Sequence, residues 1–76
     1  MGSTHTGRWY RLTAGSHTMT TWIGDDQLTY RAVRSAAGWV VRRHVAGAGK
    51  TIVGHPTATL REAKVLAQSD LNVGFL

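Results

Sequence analysis

The sequence predicts an α+β fold, an antiparallel meander of three to five strands packed on one C-terminal helix. Three observations predict it. Runs rich in β-formers recur in the middle of the chain, each bounded by Gly-containing turn chemistry. A capped stretch without Gly or Pro follows them, with its apolar residues on one helical face. The 76 residues include no cysteine, so a disulfide framework, a thiol nucleophile and every cysteine-based metal site are excluded. The core of so short a chain must come from sheet–helix packing.

Taken in order, residues 1–7 read as a disordered N-terminus and residues 8–76 as a single small domain. Arg8–Thr13 and His17–Ile23 have strand composition, and Thr13-Ala14-Gly15-Ser16 can turn between them. Together they would add a hairpin to the sheet. Gly24-Asp25-Asp26-Gln27 is a turn signal, where turn formation accounts for both aspartates. Leu28–Arg34 follows as a strand. Ser35-Ala36-Ala37-Gly38 suits a hairpin loop, with Gly where φ must be positive. Trp39–Val45 is the next strand, Ala46-Gly47-Ala48-Gly49 a flexible tip, and Lys50–Val53 a short strand stopped by Gly54. Pro56 and Thr57 end the extended stretch.

Thr59 then stands three residues before Glu62. This is the capping-box spacing that satisfies two otherwise unpaired N–H donors. From Thr59 to about Asp70, Leu60, Ala63, Leu66, Ala67 and Leu71 share one face, with Val65 outside it. The small alanines let the helix lie close to the sheet. Phe75 and Leu76 either fold over the core or fray.

The charge is unevenly placed. Nine basic against four acidic residues give +5. Residues 31–50 carry Arg31, Arg34, Arg42, Arg43 and Lys50 without one acid, so this segment alone holds the net charge. Such a patch attracts a polyanion, nucleic acid first and an acidic protein face second. A GC-rich coding sequence would explain the excess of Arg over Lys but not its clustering. One helix covers one side of a sheet, and the other side meets water or a partner. Strand alternation sets Arg42 and His44 opposite to Trp39, Val41 and Arg43. It sets Arg31 with Val33, and Arg34 with Tyr30 and Ala32, unless a bulge aligns Arg31 with Arg34.

Several motifs exclude more than they include. Gly49-Lys50-Thr51 ends like a phosphate-binding loop, but position 44 is His rather than Gly, and strand rather than helix follows. His5, His17, His44 and His55 share no metal-ligand spacing. No metal and no cofactor are expected. A chain this short has little room for a substrate pocket of several hundred Å3, and no enzyme is expected. No run reaches the roughly 18 apolar residues of a membrane span, and the N-terminus lacks the apolar core of a secretory signal. The expected location is the cytoplasm of a bacterial cell or infected host. Trp39 is expected under the helix.

Tyr30-Arg31-Ala32-Val33-Arg34, a Gly-containing loop, Trp39-Val40-Val41, a basic strand end, Ile52-Val53-Gly54 and Thr59-Leu60-Arg61-Glu62-Ala63 follow in that order. Over residues 28–71 this pattern resembles the AP2/integrase-arm type of DNA-binding domain. The family has a YRGVR-like first strand, a Gly-Lys-Trp second strand, a Leu-Gly third strand and a Thr-x-Glu-Glu-Ala helix start. The resemblance implies three strands on one helix, with the sheet in the major groove of double-stranded DNA. It places contacts at Arg31 and Arg34 in the first of those strands, Arg42 and His44 in the second, and Lys50 in the third. The chain departs from the pattern at Ile52, where the family has an aromatic, and at Arg42, where it has an acid. A family Trp near the first hairpin has no counterpart, and residues 1–27 are not covered.

Two functions are consistent with these features. The first is a small DNA-binding module, regulatory or phage-type, that contacts DNA through its basic sheet. The alternative is a phage-type interaction module that binds and modulates a host protein with an acidic surface. Trp9, Tyr10 and Trp22 would then be the anchors, since Trp and Arg are enriched at binding hot spots. Either would act as a monomer or weak homodimer.

Overall fold

The computed structural model describes residues 7–23 and 25–73. Five strands, β1 (Arg8–Thr13), β2 (Ser16–Ile23), β3 (Asp26–Ser35), β4 (Gly38–Val45) and β5 (Gly49–Thr57), precede one helix, α1 (Leu60–Val73). The strands pair antiparallel in sequence order, β1-β2-β3-β4-β5. The fold is the expected α+β meander, at its upper limit of five strands. Of the N-terminal stretch expected to be disordered, residues 1–6 lie outside the described residues, and Gly7 lies so close to Met19 that a Cβ there would collide with the Met19 sulfur. The C-terminal pair Phe75 and Leu76 also lies outside the described residues.

The turns follow the local chemistry. In the β3–β4 hairpin, the Ser35 hydroxyl donates to the Gly38 carbonyl at 2.8 Å and accepts from the Ala37 N–H at 3.2 Å. Gly38 has φ 119°, and a side chain there would strike the Thr57 carbonyl. The β4–β5 tip is a defined turn, with the Ala48 N–H on the Val45 carbonyl at 2.9 Å and Gly47 and Gly49 at φ 83° and 81°.

Strand β5 is longer than expected, because Gly54 does not stop it. Trp39 pairs with Thr57 and Val41 with Val53, so β5 carries two extra residues across that interval. Gly54 absorbs the irregularity at φ 62°. Pro56, which has no N–H to donate, is tolerated on this irregular edge.

Met19, Leu28, Tyr30, Ala32, Val41 and Val53 from the sheet form the core with Ala63, Ala67 and Leu71 from the helix. Trp9, Ile23, Trp39, Val45, Leu60 and Leu66 pack around it. The helix lies over β3, β4 and β5. Ala63 and Ala67, the helix alanines of the core, are fully buried, so the backbone of α1 sits close to the sheet, while Val65 stays exposed on the outer face. The cap forms with a modification. The Glu62 N–H donates to the Thr59 hydroxyl at 3.1 Å, and that hydroxyl donates to the Glu62 carboxylate at 3.0 Å. The carboxylate therefore accepts a hydrogen bond from the hydroxyl, where the capping box would have it accept from a backbone N–H. Its charge still complements the helix N-terminus.

One polar knot joins helix and sheet. Asp70 accepts from the Tyr30 hydroxyl at 2.6 Å and from Arg43 Nη1 at 2.7 and 3.0 Å. Burial, and then the Asp70 carboxylate, raise the Tyr30 phenol well above its ordinary value of 10.0. Every donor and acceptor of this knot lies on the helix-covered side, which leaves the other side of the sheet to different residues.

Candidate nucleic-acid interface

Residues opposite each other in an antiparallel pair point to the same side of the sheet. The register therefore lays out the uncovered face in rows. One row runs Arg8, Thr20, Thr29, His44, Lys50, from β1 to β5. The next runs Tyr10, Thr18, Arg31, Arg42, Ile52 across the same five strands. Flanking the first row, Trp22 pairs with Gln27. Flanking the second, Val33 pairs with Val40.

The two rows hold four fixed cations, Arg8, Arg31, Arg42 and Lys50, and one histidine. None of the four carboxylates of the chain lies in either row. Asp25 and Asp26 are in and beside the β2–β3 turn, and Glu62 and Asp70 are on the helix. Among the described residues, no carboxylate lies within ion-pair distance of Arg8, Arg31, Arg42 or Lys50. Arg31 stands directly opposite Arg42, and His44 opposite Lys50. Thr29, Arg31, Arg42, His44 and Lys50 line one shallow depression of about 100 Å3. That is below the few hundred Å3 that enclose a small molecule. The face is a contact surface rather than a pocket.

The hydroxyls between the cations are ordered by the sheet. Thr20 and Thr29 share a hydrogen bond of 3.2 Å, and the Thr18 hydroxyl donates to the Tyr30 carbonyl at 3.2 Å. At the β1 edge the Arg8 guanidinium lies 5.8 Å from the centre of the Tyr10 ring. Tyr10 and Trp22 are 57% and 58% exposed, so both rings are open to a partner.

Four of the five positions expected at a nucleic-acid site, Arg31, Arg42, His44 and Lys50, are thus brought together. Arg34 is not. β3 pairs with β4 without a bulge from Leu28 to Ser35, so Arg34 stays on the other side, opposite Trp39, with its backbone N–H on the Gly15 carbonyl at 2.8 Å. Of the three aromatic anchors, Tyr10 and Trp22 lie on the uncovered face. Trp9 does not, because it pairs with Met19, packs beside the core and has the Lys64 ammonium 5.8 Å from its ring centre. Arg8, Thr18, Thr20 and Thr29 were not singled out from the sequence. Arg8 would have followed from extending the alternation through the first hairpin, had its register been known.

No helix among the described residues is long and apolar enough to cross a membrane. Comparison with protein-family models, with curated proteins and with solved structures finds no match to the chain. Nothing there identifies an AP2/integrase-type domain, and the character of the face rests on its own geometry.

Proposed function

We propose that the protein is a small nucleic-acid-binding module that docks phosphates on the two cationic rows of its uncovered sheet face. One observation carries this reading. Arg31 opposes Arg42 in direct register, with His44 and Lys50 beside them and no carboxylate in either row. Like charges directly opposite across a strand pair destabilise a sheet, by tenths of a kcal/mol to about 1 kcal/mol. A local conflict of this kind, where the buried side-chain polar groups among the described residues all have hydrogen-bond partners, fits a surface shaped for a ligand. A polyanion relieves the repulsion on binding. Double-stranded DNA is the first partner to test, as the resemblance over residues 28–71 implies. Binding alone, without catalysis, fits a face that offers charge and hydroxyls but no enclosed pocket.

The test is a fluorescence-anisotropy titration of mixed-sequence nucleic acid, duplex and single-stranded, at low and physiological salt. Four cations predict a log–log salt slope no steeper than about −4. The Arg31→Ala/Arg42→Ala double variant is expected to bind at least about tenfold more weakly, without a lower melting temperature. Absence of binding by the parent protein at low salt would overturn the reading. Docking on an acidic host protein would then be the remaining use of the cations. That interaction would depend on Tyr10 and Trp22 and persist in salt.

A further inference from the structure

Resting on that reading, we infer that the ligand of this face is an unpaired strand, single-stranded nucleic acid laid across the sheet with bases stacked on Tyr10 and Trp22. Three features of the face point the same way.

The first is width. The cations extend from Arg8 on β1 to Lys50 on β5 in one row. Four strand spacings of about 4.8 Å make this row roughly 19 Å long. The major groove of B-DNA is about 12 Å wide and accepts a helix or a two-stranded ribbon. A flexible single strand follows a face of any width.

The second is the pair of exposed rings. In a duplex the base faces are stacked inside and only their edges are offered to the grooves. Tyr10 and Trp22 would then have no aromatic partner. Unpaired bases present their faces, and stacking on protein aromatics is worth about 1–3 kcal/mol per base regardless of base identity. Trp22 is four residues along β2 from Thr18, the partner of Tyr10. This separates the two positions by roughly 13 Å along the strand, with the row of Arg8 between them and the Arg8 guanidinium at the Tyr10 ring, where it can meet a phosphate beside a stacked base.

The third is the sign of the charge at each end. Asp25 stands in the β2–β3 turn beyond Trp22, while Asp26 pairs with the core-packed Ile23 and points to the other side, so the Trp22 end carries no cation and favours a base. Arg31 and Arg42 lie in the row beyond Arg8, where phosphates are attracted. Thr18, Thr20 and Thr29 supply hydroxyls between, suited to sugar and phosphate oxygens.

The experiment compares a deoxythymidine oligomer, a uridine oligomer and a duplex, each of about 15 nucleotides or base pairs, the upper site size of one single-strand-binding domain. All are titrated at one salt concentration. Either single strand is expected to bind about tenfold or more tightly than the duplex, and the tighter of the two identifies DNA or RNA as the natural source. Trp22→Ala is expected to weaken single-strand binding roughly tenfold while leaving duplex binding unchanged. Trp22→Phe should retain most of the affinity. Because Trp22 is more than half exposed, the folded state of each variant can be verified by its melting curve. Equal or tighter duplex binding, with Trp22→Ala silent and Arg31→Ala/Arg42→Ala weakened, would overturn this inference and leave nucleic-acid binding standing. Absence of binding to all three probes would overturn both.

Discussion

Arg42 and Arg43 are adjacent in β4 and have opposite fates. Arg43 points under the helix, where Asp70 accepts two of its hydrogen bonds and the buried Tyr30 hydroxyl supports the same carboxylate. Arg42 points to the uncovered face, opposite Arg31 and beside His44 and Lys50. On one side a cation is matched by a partner and holds the helix to the sheet. On the other, cations are set against one another. The difference shows that the net charge of +5 is not a property of composition alone. The fold pairs Arg43 with Asp70 beneath the helix and gathers Arg8, Arg31, Arg42 and Lys50 on the uncovered face, while Arg11 and Arg34 stay on the opposite side.

The widest separation between the two faces should appear in a pair of single substitutions. Arg43→Ala leaves Asp70 partly enclosed with one donor fewer. It is expected to lower stability by about 2 kcal/mol, since hydrogen bonds to charged groups contribute roughly 1.5–3 kcal/mol. Arg42→Ala removes one member of a like-charge pair, so stability should stay level or rise by a few tenths of a kcal/mol. Urea unfolding of the two variants measures this. Equal losses in both would show that Arg42 is structural and would remove the contrast.

A second, smaller effect sharpens the description of the enclosed side. Tyr30→Phe keeps the ring and deletes one hydrogen bond to Asp70, for an expected loss of about 1–1.5 kcal/mol. It should also change the alkaline limb of stability. The Tyr30 phenol is raised above 10.0, first by burial and then by Asp70. Above pH 10 the unfolded chain releases this proton while the folded chain keeps it. The contribution is therefore complete below the unfolded value and is lost as pH climbs beyond it. The parent protein should lose stability between pH 10 and 11 more steeply than Tyr30→Phe. Parallel curves would show that the buried hydroxyl carries no linkage.

Much of this division is legible in the sequence, because it follows from alternation. A strand through Trp39–Val45 cannot place Arg42 and Arg43 on the same side. The spacing of Leu60, Ala63, Leu66, Ala67 and Leu71 likewise determined which face of α1 would be covered. What resisted reading depended on contacts distant in sequence or on irregular pairing. Asp70 meets Arg43 and Tyr30 across 27 and 40 residues, and no local pattern connects them. Arg8 joins the cationic row only through the β1–β2 register, which slips between Arg11 and Thr13. A bulge that would have brought Arg34 beside Arg31 was conceivable from the sequence, but the unbroken β3–β4 ladder excludes it. The continuation of β5 past Gly54 needed a bulge that a Gly-x-Pro sequence suggests less readily than a stop.

The smallest expected effect concerns His17, on the enclosed side near its rim. Its ring meets Trp39 edge-on, with centroids 5.7 Å apart. Lys64 from the helix and Arg11 from β1 are the cations that act on it, and its pKa is lowered, first by loss of solvent and then by these two charges. A lowered value means that near pH 6 the unfolded chain binds a proton that the folded chain does not. Stability attributable to His17 is then complete above its ordinary value of 6.5 and declines as pH falls below it toward the folded value. His17→Asn removes this response. The urea midpoint of the parent protein should therefore drop more between pH 7.5 and 5.5 than that of His17→Asn. A larger drop in the variant would mean that the imidazolium is accommodated beside Lys64 and Arg11. The contrast with the cationic rows would then weaken at the edge of the enclosed face.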